Sequence, residues 1–293
     1  MKKVMMLLLV LLSSPTHAQN SNIHHDTGVY KPIIVQWTNS ISKSSNISST
    51  SYIVKKSGGK DKLHKAGHRH LIVWVPEATD LHKPITLVLW FHGHWGYVPH
   101  RTFEDRTINQ LASLSNKNFV LALPEMPWSI HTTTPTKRNS QLWMRPGDFM
   151  EFVSQVENIL LNHQTHRVGN VTETGKRLGK IDYRIVGHSA GGSAIKRLGI
   201  TGDLCKLNPS MIVWSDSSYG HWLDNSWDGC LKNNTNTVIK IFVRKWGPPW
   251  ENAVRFMSEF QEAPSNVELH VMSKPWTHKS IGNNIVKLSG VLE

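Results

Sequence analysis

The sequence lacks an apolar run long enough to cross a membrane. Its longest such run, Val4 to Leu12, has nine residues, whereas a transmembrane helix needs about 20. Two lysines precede this run and small residues follow it up to Ala18, a pattern that predicts a cleaved secretory signal over residues 1–18. No cysteine directly follows the run, which argues against a lipoprotein. We therefore expect a secreted or periplasmic protein without a transmembrane span.

Acidic residues are also scarce. The chain has 21 Asp and Glu against 33 Lys and Arg, a formal net charge of +12. A basic exported protein favours anionic partners, such as peptidoglycan, an acidic polysaccharide or a membrane surface. A solvated basic surface explains the charge equally well. The basic residues are scattered and no nucleic-acid-binding motif is present, so nucleic acid is not an expected partner.

The order of apolar segments predicts the domain organisation. Residues 19–65 are polar and form a predicted N-terminal extension, in which "KPIIVQW" and "SYIVKK" are candidate edge strands. Over residues 66–293, apolar runs of strand length alternate with segments at helical spacing. This alternation predicts an α/β catalytic domain with a mostly parallel central sheet and helices on both faces. Active sites in such sheets lie at the carboxyl ends of the strands.

Two polar segments carry further predictions. In "GDFMEFVSQVENILLNH" we expect an amphipathic helix that Asp148 caps, and its apolar face comprises Phe152, Val156, Ile159 and Leu160. In "HKAGHRH", His64, His68 and His70 have a spacing that could bind a metal. We interpret that segment as a basic polar loop and predict no metal site.

The segment "YRIVGHSAGGSAIKRL" places Ser189 between a predicted strand and a predicted helix. This is the structural context in which G-x-S-x-G presents a nucleophilic serine on a strained turn. Gly187 and Gly191 remove side chains where strand and helix approach each other most closely. The start of the helix also favours negative charge. We therefore predict that Ser189 is a nucleophile.

Together with "FHGHWG" after an earlier strand and a late histidine, "GHSAG" resembles the α/β-hydrolase superfamily of serine esterases, lipases and peptidases. The resemblance covers roughly residues 70–293. It implies that the oxyanion is held by the backbone N–H of Ala190 and by that of His94, with Trp95 as the alternative. It also implies a reaction that needs no metal and no organic cofactor.

The base is expected after the last strand, where "SKPWTHKS" offers His278 just before the final helix. His270 lies inside the strand itself and is interpreted as structural. Two acids preserve the order Ser, acid, His. Asp216 directly follows the strand "MIVWS", and Glu251 follows the next strand in "GPPWENAV". The superfamily usually places the acid at the later position, but Asp216 stands directly at a strand end, so we prefer Asp216 and keep Glu251 as the alternative.

The only two cysteines, Cys205 and Cys230, are predicted to form a structural disulfide, because an exported protein is in an oxidising compartment. Each precedes a predicted strand by several residues. Both should therefore lie near the amino ends of the strands, away from the site.

Tryptophan is abundant, with 12 in the chain. Eight fall in segments that follow strands: Trp95, Trp128, Trp143, Trp222, Trp227, Trp246, Trp250 and Trp276. They could line an aromatic cleft for a glycan, an aromatic acyl group or a polyester. They could equally form the core of the loops that cover the site.

From these features we predict an exported serine hydrolase that cleaves a carboxylic ester, on a small molecule, a polymer or a glycan, through Ser189, His278 and Asp216. Three alternatives stay open: a peptidase or amidase with the same triad, an acyltransferase, and an inactive hydrolase-fold protein that binds a glycan.

Overall fold

The computed structural model describes residues 33–38, 51–55, 61–65, 68–76, 79–93, 117–124, 126, 143, 145–167 and 177–293. Within these ranges the strands are β1 (Ile33–Thr38), β2 (Ser51–Lys55), β3 (Asp61–Lys65), β4 (His68–Trp74), β5 (Ile85–Phe91), β6 (Phe119–Pro124), β7 (Ile181–His188), β8 (Met211–Ser215), β9 (Val238–Arg244) and β10 (Val267–Met272). The helices are α1 (Asp148–Arg167), α2 (Gly192–Thr201), α3 (Asp203–Leu207), α4 (Trp222–Gly229), α5 (Pro248–Ser258) and α6 (His278–Ser289).

Eight of these strands form one sheet in the order β1-β4-β6-β5-β7-β8-β9-β10. Six neighbouring strands are parallel: β6, β5, β7, β8, β9 and β10. At one edge, β4 pairs antiparallel with β6, and β1 pairs antiparallel with β4. The carboxyl ends of the parallel strands therefore meet at one edge of the sheet. The predicted mostly parallel sheet is confirmed.

The central strands are apolar because both of their faces are covered. Every residue of β6 is buried, and in β5 only Thr86 is partly exposed. Leu87, Leu89 and Phe91 of β5 pack in one apolar cluster, which α1, α2, α4 and α5 also join. Val88 and Trp90 pack in a second cluster, which α6 joins. Successive side chains of a strand point to opposite faces, so helices cover both faces of the sheet, as predicted.

The start of α1 corrects one prediction. Asp148 is the first residue of the helix, and its carboxylate accepts a hydrogen bond from the backbone N–H of Arg145 at 3.0 Å. The helix N-terminus is capped instead by Asp203, which is fully buried and belongs to α3. Its carboxylate oxygens accept from the backbone N–H of Gly147 at 2.7 Å and of Phe149 at 3.2 Å. A carboxylate at a helix N-terminus also interacts favourably with the helix dipole.

Candidate edge strands of the predicted extension are present. β1 pairs with β4 at the edge of the large sheet, and β2 pairs with β3 in a separate two-stranded sheet. The interpretation of "HKAGHRH" as a loop is wrong, because His64 lies in β3, whereas His68 and His70 lie in β4. Pairing with β2 and β1 supplies the backbone hydrogen-bond partners that a loop would have to find in water. The domain boundary at residue 66 stays a prediction.

A disulfide joins Cys205 of α3 to Cys230, which directly follows α4, with their Cα atoms 6.1 Å apart. Cys205 precedes the start of β8 and Cys230 that of β9, which is where the sequence places the bridge. Of the helices in the described ranges, none combines the length and the apolar character that a bilayer crossing requires. The predicted signal over residues 1–18 lies outside the described residues.

Candidate active site

Ser189 stands on a sharp turn between β7 and α2. Strand β7 ends at His188, a short 3₁₀ turn spans Ser189–Gly191, and α2 begins at Gly192. Ser189 has a φ of +53°, a left-handed conformation that is uncommon for residues other than glycine. Gly191 permits the turn, because a Cβ there would overlap the carbonyl oxygen of Phe91 in the neighbouring strand. Strain of this kind is kept where the surrounding structure enforces it, which is often at an active site.

Asp216 and His278 are brought together at the carboxyl ends of the strands. The Nδ1 atom of His278 lies 2.6 Å from the Oδ2 atom of Asp216. Asp216 directly follows β8, is fully buried and has a φ of +45°. An ionised carboxylate only accepts hydrogen bonds, so Nδ1 carries the hydrogen. The Nε2 atom of the neutral imidazole is then the basic nitrogen.

His278 is held by the start of α6. It is the first residue of that helix rather than a residue before it, which corrects the predicted boundary. Thr277 caps the helix in a capping box with Ser280, in which each side chain accepts from the backbone N–H of the other residue. Such a box satisfies two of the free N–H groups at the helix start. His278 is thus positioned by a well-formed helix terminus.

The carboxylate of Asp216 has a second set of contacts, on β9. Its Oδ1 accepts from the backbone N–H of Arg244 at 3.4 Å, and the Nε atom of Arg244 lies 3.3 Å from Oδ2. The backbone N–H of Asp216 donates to the carbonyl of Phe242 at 2.7 Å. The end of β9 therefore fixes the conformation of Asp216 through both its backbone and its side chain.

Glu251, the alternative acid, lies elsewhere. It is in the first turn of α5, and its side chain is exposed. Its carboxylate makes no hydrogen bond or ion pair with any residue that the structure describes. Of the two acids that the sequence left open, the structure brings Asp216 to His278 and leaves Glu251 apart from it.

His188 connects His278 to the serine turn. It directly precedes Ser189, and its ring lies 4.7 Å from the ring of His278, centroid to centroid, with the planes tilted by 30°. Its Nδ1 atom lies 2.9 Å from the carbonyl oxygen of Ser215, an atom that can only accept, so Nδ1 donates. His188 therefore contacts both the end of β8 and the ring of His278, which places His278 beside the Ser189 turn.

Tyr219 is a residue of the site that sequence reasoning missed. Its phenol lies near Ser189, and the interaction with that side chain lowers the pKa of Tyr219. Its ring packs edge-to-face against Trp222, with the ring centroids 5.4 Å apart. Burial has the larger effect and raises the pKa of Tyr219 above its usual value. The phenol consequently stays protonated at neutral pH. A lone tyrosine in a loop has no sequence signal that would distinguish it from the other four.

The "HG" loop, which begins with His92 and Gly93 directly after β5, packs on Ser189. A Cβ on Gly93 would lie 2.9 Å from the Cβ of Ser189, so only glycine allows this approach. The backbone N–H of Met126 donates to His92 Nε2 at 2.9 Å, and the Nδ1 of His92 therefore carries the hydrogen and donates to the Gly93 carbonyl at 2.7 Å. His92 thus ties the loop to the end of the neighbouring strand. Ala190 is buried beside Ser189, whereas His94 and Trp95 lie outside the described residues.

The tryptophans have different surroundings. Trp143 is buried in the core with Phe91, Phe149 and Phe152. Trp227 packs edge-on against Phe256 and Phe260. Trp222, Trp250 and Trp276 are partly buried against the two apolar clusters, whereas Trp246 is 37% exposed. Trp95 and Trp128 lie outside the described residues. Trp143 therefore belongs to the core between sheet and helix, which neither interpretation of the tryptophans predicted.

No protein-family model and no curated protein matches the chain. It is similar to the solved structure of a ferulic acid esterase, at 10% identity and a TM-score of 0.49, over 90% of this chain and 98% of that one. It is similar to FphF, a fluorophosphonate-binding serine hydrolase of Staphylococcus aureus, at 10% identity and a TM-score of 0.47, over 91% and 100% of the two chains. It is also similar to a feruloyl esterase module from Clostridium thermocellum, at 11% identity and a TM-score of 0.46, over 88% and 93%. Likenesses of this size carry no argument about activity.

The topology itself identifies the fold. Numbered along the chain within the large sheet, the eight strands have the order 1-2-4-3-5-6-7-8, with the second antiparallel to its neighbours. A strand–turn–helix at the fifth strand carries Ser189 in G-H-S-A-G. The resemblance found in the sequence therefore holds at the level of the fold, and this chain has the α/β-hydrolase fold.

Proposed function

We propose that this protein is a serine hydrolase that cleaves a carboxylic ester through an acyl-enzyme, with Ser189 as nucleophile, His278 as base and Asp216 as acid. The observation that carries the proposal is the 2.6 Å contact between His278 Nδ1 and the fully buried carboxylate of Asp216, beside the strained turn of Ser189. Ser189 directly follows β7, Asp216 directly follows β8, and His278 follows β10. They therefore share the sheet edge where this class of fold has its active sites.

In the first half of the reaction, the hydroxyl oxygen of Ser189 attacks the ester carbonyl as its proton passes to Nε2 of His278. Asp216 keeps the imidazole in the tautomer with hydrogen on Nδ1 and stabilises the imidazolium that forms. The bond between the carbonyl carbon and the alcohol oxygen then breaks, and His278 gives its proton to the departing alcohol. In the second half, water repeats the attack and releases the acid.

The negative charge on the carbonyl oxygen needs donors while the tetrahedral intermediate exists. The backbone N–H of Ala190 is one proposed donor, because it lies in the first turn after β7, where N–H groups lack partners within the helix. His94 is the proposed second donor. The close packing of Gly93 on Ser189 supports this, because His94 directly follows Gly93 in the sequence. One such donor is typically worth about 3 kcal/mol of barrier.

We further propose that the protein is exported, with its signal cleaved after Ala18. The Cys205–Cys230 disulfide supports this, because disulfides persist in oxidising compartments. N-terminal sequencing of the protein recovered outside the cytoplasm should begin at Gln19. An N-terminus that still contains Met1 would contradict the cleavage.

The nucleophile is tested with a fluorophosphonate probe, which labels an activated serine covalently. Wild type should be labelled at Ser189 and the Ser189→Ala variant should not. Ser193→Ala, which removes another serine from the adjoining helix, is the matched control and should label like wild type. Equal labelling of wild type and Ser189→Ala would reject the nucleophile, and a panel of short esters and matched amides then measures the preferred bond.

A further inference from the structure

Arg244 has capacity to bind an anion at the proposed active site. It is the last residue of β9. Of its side-chain nitrogens only Nε contacts Asp216, at 3.3 Å from Oδ2. Nε is buried, and its alignment with Asp216 is too poor for a hydrogen bond. It therefore has no hydrogen-bond partner within the described residues. Neither Nη atom makes a hydrogen bond or ion pair with a described residue. The guanidinium therefore keeps donors that its neighbours do not use.

Asp216 does not pair with the whole guanidinium. Its Oδ2 already accepts the 2.6 Å bond from His278, and its Oδ1 accepts from the backbone N–H of Arg244. Carboxylates bind arginine most strongly through two parallel N–H···O bonds. Only Nε of the Arg244 guanidinium approaches Asp216, so this paired geometry is not formed with Asp216 and is open to another carboxylate.

The guanidinium lies beside the proposed acid: its Nε is 3.3 Å from Oδ2 of Asp216, and this oxygen is 2.6 Å from Nδ1 of His278. The charges of Asp216 and Arg244 also act on Tyr219, whose pKa the first raises and the second lowers. On its other side, Nη2 of Arg244 is 3.7 Å from the position that a Cβ on Gly247 would occupy, so the side chain lies along the turn after β9. The side chain is 26% exposed, which leaves part of it accessible to a ligand.

The surrounding strand ends are basic. Three exposed lysines lie there: Lys245 follows β9, Lys274 follows β10, and Lys279 is the second residue of α6. The backbone N–H of Lys245 donates to the carbonyl of Met272 at 3.0 Å, which holds the two strand ends side by side. Glu251, in the first turn of α5, is the one exposed acidic residue among the described residues of these segments and that turn. Positive charge around a concave site raises the local concentration of anionic substrates.

From these contacts we infer that the substrate is an ester that carries a carboxylate near the scissile bond, and that Arg244 binds this carboxylate through its Nη donors. The inference rests on the proposed function and narrows its substrate class. It also gives the positive charge of the chain a local role at the site. A hydrogen bond to a charged group contributes about 1.5–3 kcal/mol, so the recognition is worth roughly 10- to 100-fold in kcat/KM.

Two matched pairs of esters test the inference. The first pair differs on the acyl side: p-nitrophenyl butyrate and mono-p-nitrophenyl glutarate. The second pair differs on the alcohol side: phenyl acetate and 4-acetoxybenzoate. For each pair, the ratio of kcat/KM for the anionic ester to that for the neutral ester is measured, so that intrinsic reactivity cancels between protein variants.

Arg244→Gln should lower this ratio about 10- to 100-fold in at least one pair, and Arg244→Lys, which keeps the charge but loses the planar fork, should lower it less. Lys287→Gln removes the same charge from the far end of α6 and should leave the ratio unchanged. In wild type, added salt should reduce the ratio, because screening weakens the contact of a partly exposed pair. The salt series needs no variant and stands even where a variant folds poorly.

An equal loss on the neutral and anionic members of both pairs would show that Arg244 only positions Asp216, and would overturn the inference. An unchanged ratio in both pairs would overturn it as well. Either result leaves the proposed hydrolase intact, since the neutral esters are still turned over. Absence of turnover with every ester, together with absence of fluorophosphonate labelling, would instead reject the proposed function and this inference with it.

Discussion

Replacement of Asp216 by asparagine removes one negative charge and little else. The φ of residue 216 is +45°, and asparagine tolerates this left-handed conformation about as well as aspartate does. The side chains are almost equal in volume, so the buried site keeps its packing. Loss of activity in Asp216→Asn can therefore be assigned to charge and tautomer rather than to backbone rearrangement.

The expected loss is large. The 2.6 Å bond to Asp216 selects the imidazole tautomer with hydrogen on Nδ1, and an amide at this position also stabilises the opposite tautomer, in which Nε2 cannot act as a base. In serine hydrolases with a triad, the same substitution lowers kcat about 10⁴-fold, or roughly 5 kcal/mol of barrier. We expect a fall of about 10³- to 10⁴-fold here. Arg244 also loses its buried counter-ion, so a loss of about 1–3 kcal/mol in stability is expected, since Arg244 is partly exposed.

The assay is steady-state kinetics on the best neutral ester, at a temperature well below the unfolding midpoint of each variant. Glu251→Gln is the matched control: it makes the same chemical change at the alternative acid and should change kcat less than about threefold. A variant Asp216→Asn that keeps more than a tenth of wild-type kcat, with a larger loss in Glu251→Gln, would refute the assignment of the acid.

Three other predictions follow from separate contacts. Tyr219→Phe should lower kcat about 2- to 10-fold, because it removes the polar interaction of the phenol with Ser189. Its pH profile should keep the wild-type shape at neutral pH, since the raised pKa keeps the phenol protonated there. A double variant Cys205→Ser and Cys230→Ser should lose about 3.5 kcal/mol in the free energy of unfolding, the chain-entropy value for the 25-residue separation of the two cysteines, and an unchanged urea midpoint would contradict this. Asp203→Asn should lose about 1–2 kcal/mol as the cap of α1 weakens, whereas Asp148→Asn should lose under about 0.5 kcal/mol; the reverse order in urea unfolding would restore Asp148 as the cap.

The fold follows from the sequence because its signals are local. Each parallel strand is an apolar run of strand length, and burial on both faces is what makes β5 and β6 apolar throughout. A contact between residues that are far apart in the sequence leaves no local pattern, so it could not be predicted. The cap of α1 comes from Asp203, more than 50 residues beyond the helix start, so Asp148 at the helix start was the natural but wrong candidate.

The residues of the candidate site were likewise predictable only where they have a local sequence signal. Ser189 has a motif, and His278 has a position after the last strand, so both were identifiable as candidates from the sequence. The acid stayed open because Asp216 and Glu251 both follow a strand, and the choice depends on a distance across the sheet. Tyr219 and Arg244 belong to no motif. Their proximity to Ser189 and Asp216 arises only when the ends of β7, β8 and β9 are aligned in the sheet.

The disulfide has a consequence for limited proteolysis. Cys205 and Cys230 enclose the segment that carries Asp216 and Tyr219, but Ser189 precedes this segment and His278 follows it. A protease that cuts once between the two cysteines would place Ser189 and His278 on different fragments, and the S–S bond would still join those fragments covalently. Such a nicked protein would migrate as one molecule without reductant and as two fragments with it.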